Sequence, residues 1–154
     1  MSEGSSVIIH KLGAGDVGAF RALLTMFGEA FGEANTYSGA QPGESYLEGL
    51  LSSDHFIALA ALQGEKTVGG LAAYELKKFE RERSEIYIYD LAVAAAHRRR
   101  GIASELITRL KAVARERGAY LIFVQADLTD LPAIALYSKL GASESVLHFD
   151  IAVS

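Results

Sequence analysis

Leu91-Ala92-Val93-Ala94-Ala95-Ala96-His97-Arg98-Arg99-Arg100-Gly101-Ile102-Ala103-Ser104 is the stretch on which the reading of the fold turns. Upstream of it, Ser84 to Val93 is β-branched and aromatic with a period of two, which predicts a strand. Downstream, Ile102, Leu106, Leu110 and Val113 recur at helical spacing and predict a helix from about Gly101 to Arg117, ended by Gly118. A buried strand thus feeds a helix through a turn that carries three arginines. A helix start leaves backbone N–H groups without partners and carries partial positive charge, so anions bind there. Gly101 removes the Cβ that would keep a phosphate away, Ala103 keeps the next position small, and Arg98 and Arg100 can add charge-assisted bonds. The turn lacks the Gly-Lys-Ser/Thr end of a Walker loop and the three spaced glycines of a dinucleotide fingerprint. An exposed basic helix start and a nucleic-acid patch are the competing readings. One isolated patch in a chain of net charge −4 makes a poor nucleic-acid binder.

Outward from this turn the chain alternates elements. A first strand is expected near Val7 to His10, and Asp16 can cap a helix whose Val17, Phe20, Leu24, Phe27 and Phe31 form one apolar face. Gly32 to Gly43, polar and rich in Gly, Asn and Ser, reads as a loop before a short helix around Ser45 to Leu51. His55 to Leu62 and Thr67 to Leu76 read as a hairpin turning at Gln63-Gly64-Glu65-Lys66, and Lys77 to Arg83 as a solvated connection. Beyond Gly118, a strand is expected at Tyr120 to Ala126 and a short helix at Ala133 to Leu140, bracketed by Pro132 and Gly141. Val146 to Ile151 is expected to close the sheet. The sum is a single α/β domain, residues 1–154, with a mixed sheet.

Composition narrows the function classes. A length of 154 residues, half of them hydrophobic and only two of them proline, suits one ordered domain. The absence of cysteine removes disulfides, thiolate nucleophiles and cysteine-ligated metals. The four histidines are scattered without ligand spacing, so no metal is expected. Met1 to Ser6 has no basic-then-apolar leader pattern, and no apolar run approaches the ~20 residues of a membrane span, so a cytoplasmic, soluble protein is expected. Charge is unevenly spread. Ala22 to Glu65 contains no Lys or Arg but holds Glu29, Glu33, Glu44, Glu48, Asp54 and Glu65, while basic residues gather later. That asymmetry fits a ligand with oppositely charged ends, or simply a solvated surface of mixed sign.

The spacing Arg98-x-x-Gly101-x-Ala103 resembles the acetyl-CoA pyrophosphate loop of the Gcn5-related N-acetyltransferase superfamily. The resemblance implies that acetyl-CoA is the cosubstrate, contacted by Leu91, Ala92, Val93, Arg98, Arg99, Arg100, Gly101, Ile102, Ala103 and Ser104. It implies that the strand before the turn splays from its neighbour near a bulge, with backbone near Leu91 to Val93 polarising the acetyl carbonyl. On strict alternation Asp90 shares a face with Ile86 and Ile88, where a carboxylate is costly unless paired or employed. The resemblance further implies that Asp90 borders the reacting carbon, which makes it a candidate base for the attacking amine, directly or through water; the alternative is a carboxylate tied to backbone donors or a neighbouring tyrosine. Tyr137 reads as an amphipathic tyrosine packing its ring. By resemblance it reaches the cofactor sulfur and protonates or orients the thiolate. Without a cysteine nucleophile, direct transfer in a ternary complex is the simpler mechanism.

Longer segments are more particular. Phe27-Gly28, Phe31-Gly32, Thr36-Tyr37-Ser38, Gln41-Pro42, Phe56 to Ala61, Ser84 to Val93, Val124 to Asp127, Asp130, Pro132-Ala133, Ala135 to Tyr137, Lys139 to Gly141 and His148 to Ile151 resemble the type I aminoglycoside 3-N-acetyltransferases, the gentamicin acetyltransferases. The chain departs from them at Leu128-Thr129 and across Ser143 to Val146. This resemblance implies acetylation of the 3-amino group of aminoglycosides, antibiotic resistance, and a homodimer. Aminoglycosides are polycations, and Glu33, Glu85, Asp127, Asp130 and Asp54 are the candidate carboxylates for their amines. Two other readings stay open: transfer to another amine, such as a polyamine or a protein amino group, and a non-catalytic acyl-CoA sensor.

Overall fold

A computed structural model of the chain describes residues 6–154, so the opening segment read above for a leader lies largely outside the described residues. Five strands follow one another across a single sheet in chain order: β1 (Val7–Lys11), β2 (Phe56–Gln63), β3 (Lys66–Lys77), β4 (Ser84–Val93) and β5 (Ala119–Val124). The first three pairings are antiparallel hairpin or return pairings, and β4 pairs β5 in parallel. A parallel pair needs a crossover, and the helix α4 (Ile102–Arg117) supplies it. This is the mixed, mostly antiparallel sheet with flanking helices expected of the Gcn5-related fold.

Strand alternation divides β2 between two cores. Ile57, Leu59 and Ala61 face α4, where Ile102, Leu106, Leu110 and Val113 meet Val68, Leu71, Ile86 and Ile88. Phe56, Ala58 and Ala60 face the other way, towards Phe20, Leu23 and Phe27 of α1 (Val17–Phe31) and Leu47 and Leu51 of α3 (Glu44–Ser52). Each large side chain buried in these layers stabilises the fold by roughly 1.5–3 kcal/mol before entropy is counted. α1 lies close on the sheet because Gly70 offers no Cβ; one added there would meet the Leu23 side chain and the Leu59 carbonyl oxygen. Gly32 ends α1 and Gly118 ends α4, both in the left-handed region at φ 68° and 76°.

The structure departs from the sequence expectation in four places. Within the stretch read as a loop, residues Ala34–Ser38 form a short helix, α2, held because Tyr37 packs its ring against Phe27 and Phe31. Asp16 does not cap α1 with its side chain. Its carboxylate instead accepts from the Gly13 amide at 2.8 Å, one turn earlier. Asp90 lies on the opposite face from Ile86 and Ile88, for a reason given below. Finally, Val146 to Ile151 forms no strand: everything after α5 (Leu131–Leu140) is exposed and in neither helix nor strand, and the sheet ends at β5. The alternation that predicts a strand is present there, but a strand also needs an edge to pair with.

Candidate active site

The site begins with a defect in β4. Ala72 pairs with Asp90 and Ala73 with Ile88, so Tyr89 is one residue too many and bulges from the ladder. An extra residue inverts the alternation beyond it. Ile86 and Ile88 face α4, and so do Leu91 and Val93, whereas Asp90 turns with Ala72 and Ala92 towards α1 and α2. On the other side of β4, pairing with β5 stops at Ile88–Val124. Tyr89 to Val93 therefore runs on with one backbone edge unpaired. This is the splayed, bulged strand that the resemblance implies.

Asp90 is half-buried, and the Tyr37 hydroxyl donates to its Oδ2 at 2.9 Å. Burial raises the carboxyl pKa above the ordinary aspartate range and outweighs the Tyr37 bond that lowers it, with the Glu33 charge raising it further. The same contact and burial push the Tyr37 hydroxyl upward, so it stays protonated and donating. Tyr37 is absent from the residues singled out by sequence reasoning as functional. Its signals in the sequence are a large aromatic in an otherwise small, polar segment and its place in the Thr36-Tyr37-Ser38 stretch that carries the resemblance. Tyr74, Tyr87 and Tyr89 form an aromatic strip beside Asp90, with ring centroids 5.7 to 5.9 Å apart along it.

The turn after β4 is tied down from both ends. The Ala94 amide donates to the Val68 carbonyl at 2.8 Å, and the buried His97 ring meets Gln63 Oε1 at 3.0 Å. Arg98 bends back, its Nε donating to the Val93 carbonyl at 3.1 Å. Arg99 and Gly101 both adopt positive φ, 65° and 80°, which curls the backbone into the start of α4. No side chain caps that helix, and nothing lies within 4 Å of where a Gly101 Cβ would stand. The amides of Ile102, Ala103 and Ser104 thus open onto free space, a concave donor set suited to a diphosphate.

A cavity of about 840 Å³ lies in front of these amides. Of the ten residues expected to contact the cofactor, it is lined by nine: Leu91, Ala92, Val93, Arg98, Arg99, Gly101, Ile102, Ala103 and Ser104. Arg100 is exposed and lies outside the lining. The far wall is α5, which contributes Leu136, Tyr137 and Lys139, while Ala30 and Phe31 of α1 close one end. The Tyr137 hydroxyl has no hydrogen-bond partner among the described residues, and burial, with the Asp130 charge, pushes its pKa up to about 12. A long, mostly apolar slot with a cationic, amide-rich mouth fits a coenzyme A thioester. The mouth would hold the pyrophosphate and the bare β4 edge the pantetheine.

The five acidic candidates separate. Asp130 lines the cavity and caps α5, its carboxylate accepting from the Ala133 amide at 3.2 Å. Asp127 is exposed in the turn leading into that helix. Glu33 precedes α2, close enough for its charge to be felt at Asp90 and Tyr37. Glu85 is already engaged by the Tyr120 hydroxyl at 2.8 Å and by Lys78 at 3.3 Å. Asp54 precedes β2, where its carbonyl accepts from Arg117, away from the cavity. Among the described residues no group of three or more His, Asp or Glu could hold a metal, and no helix is long and apolar enough to cross a membrane.

The profile of the acetyltransferase (GNAT) family matches residues 21–142. The chain belongs to that family. The family uses acetyl-CoA. Among solved structures, the chain is similar to an aminoglycoside acetyltransferase from an uncultured soil metagenomic sample, at 62% identity over 97% of this chain and 99% of that one, with a TM-score of 0.95. A second soil metagenomic aminoglycoside acetyltransferase, solved with sisomicin, is 33% identical over 96% of this chain and 97% of that one, with a TM-score of 0.89. The streptothricin acetyltransferase of Streptomyces lavendulae is 31% identical over 67% of this chain and 52% of its own length. The matches span between 29% and 52% of the curated relatives' lengths.

Proposed function

We propose that this GNAT protein transfers the acetyl group of acetyl-CoA to an amine of an aminoglycoside, at the 3-amino position, by direct attack in a ternary complex. One observation carries the chemistry. Tyr137 and the uncapped start of α4 share a cavity with the unpaired edge of β4, and Asp90 stands at the bulge where that edge begins. The thioester, when bound, supplies the activated acetyl group. The residues do the rest. Tyr37 holds Asp90 Oδ2 and leaves the other carboxylate oxygen to accept the amine's proton, directly or through a water. The raised Asp90 pKa makes that oxygen a stronger base than an ordinary aspartate. Tyr137, protonated at any physiological pH, donates its hydrogen to the departing sulfur. Free β4 amides supply the electrostatic stabilisation of the developing oxyanion.

The choice of amine is supported by similarity to the soil enzymes and by charge. Asp130 lines the slot, Asp127 lies in the turn before it, and Glu33 is near enough to Asp90 for its charge to be felt there, so these carboxylates are the ones that would hold a polycation. Glu85 and Asp54 are secondary candidates, since the first already holds two partners. Acetylation replaces a cationic anchor of the drug with a neutral amide, which is how resistance would follow. The deciding assay measures CoA thiol release with gentamicin, spermidine and a basic peptide offered side by side. Turnover with gentamicin at least 100-fold above the other two supports the proposal; preference for spermidine or the peptide rejects the substrate, and no release with any amine rejects the enzyme.

A further inference from the structure

α2 is five residues long, too short to keep its shape in water without outside ties. Besides the packing of the Tyr37 ring, a side-chain amide and a close backbone approach fasten it to α1. Across residues 32–43 every residue is exposed except Tyr37 and Gln41. Gln41 lies past the end of α2 and folds back on it. Its Nε2 donates to the Tyr37 carbonyl at 3.1 Å and reaches the Arg21 carbonyl at 3.5 Å, while its Oε1 accepts from Arg21 Nη1 at 3.1 Å. One amide thus joins α2 to α1. The close approach is at Gly28, which is buried in α1. A Cβ there would stand 3.0 Å from Ala34 Cα and 3.1 Å from Tyr37 Cβ, and beside it the Glu33 amide donates to the Gly28 carbonyl at 2.8 Å.

What this seat delivers is a phenol. The backbone of Tyr37 is the part that is held, and its hydroxyl is the part that meets Asp90 Oδ2 at 2.9 Å, 53 residues further along the chain. Lengthening an O–H···O contact by about 0.5 Å takes it out of its ordinary range, so a small slip of α2 loosens the bond. Among the described residues only Tyr37 donates to that carboxylate. The other titratable groups that share its field do not bond to it: Glu33 ahead of α2, Tyr74 on β3, and Tyr87 and Tyr89 on β4.

We propose that Gln41 and Gly28 are positioning residues: together they seat α2 so that the Tyr37 hydroxyl reaches the Asp90 carboxylate, to which neither of them bonds. The consequence for catalysis rests on the reading of Asp90 as the base, whereas the consequence for the carboxyl group does not. The Tyr37 bond lowers the Asp90 pKa against burial, so slackening the seat raises it.

Gln41→Met keeps the bulk of the side chain and removes its amide. Gly28→Ala acts from the other side, forcing α2 outward by about a few tenths of an ångström. Carboxyl ¹³C titration of the whole chain, with the Asp90 signal assigned by Asp90→Asn, is expected to show the Asp90 pKa raised by about 0.3 to 1 pH unit in each variant. In a Tyr37→Phe background neither substitution is expected to raise it further. The acidic limb of kcat/KM is expected to follow the titration, while the acetyl-CoA Kd stays within roughly twofold, because no residue of α2 lines the cavity. A titration unmoved in both variants would overturn the proposal. So would a fall, which means that water has entered instead, or an undiminished rise in the Tyr37→Phe background. A raised titration with an unmoved kinetic limb supports the seat and takes the base role from Asp90. Absence of transfer to any amine rejects the enzyme, and the titration still decides the seat. If Gln41→Met loses its circular dichroism, Gly28→Ala with and without Tyr37→Phe decides alone.

Discussion

In the proposed reaction two hydroxyls and one carboxylate carry the chemistry at the residue scale, and each is tuned by its surroundings. Tyr37 lowers the Asp90 pKa while burial raises it, and burial is the larger influence. Tyr37→Phe removes the lowering contribution, so Asp90 becomes harder to deprotonate. The acidic limb of the kcat/KM profile is expected to move to higher pH, with the pH-independent plateau much less affected. An unchanged or downward-moving limb would separate Asp90 from the base role. Tyr137→Phe leaves the slot's shape intact but removes its hydrogen, so kcat is expected to fall by roughly 10²-fold or more while the acetyl-CoA Kd stays within about twofold. Direct binding and single-turnover measurements check both numbers. The sequence alone could mark Asp90 as an anomalous carboxylate on a strand, but not its true face. A bulge leaves no signature in a pattern of period two, and one unpaired residue at Tyr89 reverses the assignment.

Close approach and helix starts decide the behaviour of the elements. α1 rests on β3 only because Gly70 lacks a Cβ, with the rigid Leu59 carbonyl where that atom would go. Gly70→Ala is expected to cost about 1–3 kcal/mol and to lower the melting temperature by several degrees in a scanning calorimeter; an unchanged midpoint would mean that α1 is less tightly seated than described. At the α4 start, Arg98 and Arg99 line the cavity whereas Arg100 faces out. Arg99→Ala is therefore expected to raise the CoA Kd about tenfold and to flatten its salt dependence, with Arg100→Ala having a smaller effect. Most elements were legible in the residues: the periods of α1, α4 and β2 to β4, and the closing glycines at 32 and 118, belong to the chain itself. α2 was not, because five residues between glycines have no period to read, and it is fixed by the packing of Tyr37 on Phe27 and Phe31.

Taken whole, the molecule has one cavity lined by Arg98, Arg99 and the start of α4 and also by one carboxylate, Asp130. In the proposed reaction the phosphates of the thioester sit at the arginine turn and the amine acceptor approaches from the side of the β4 bulge. The sequence shows a basic-free stretch from Ala22 to Glu65 and an arginine turn, but the one carboxylate that lines the cavity, Asp130, comes from outside that stretch. The final strand expected at Val146 to Ile151 illustrates the remaining limit: its pattern suits a strand, but a strand also needs an edge to pair with, and the described sheet ends at β5. All of this depends on the diphosphate seating at the start of α4. Calorimetric titration of CoA into the protein, run beside dephosphorylated pantetheine, tests that seat directly. The expected result is one site per chain with a Kd in the range of about 1 μM to 1 mM, and binding at least tenfold weaker for pantetheine. Absence of heat with CoA at millimolar concentration, or equal affinity for the two compounds, would contradict it.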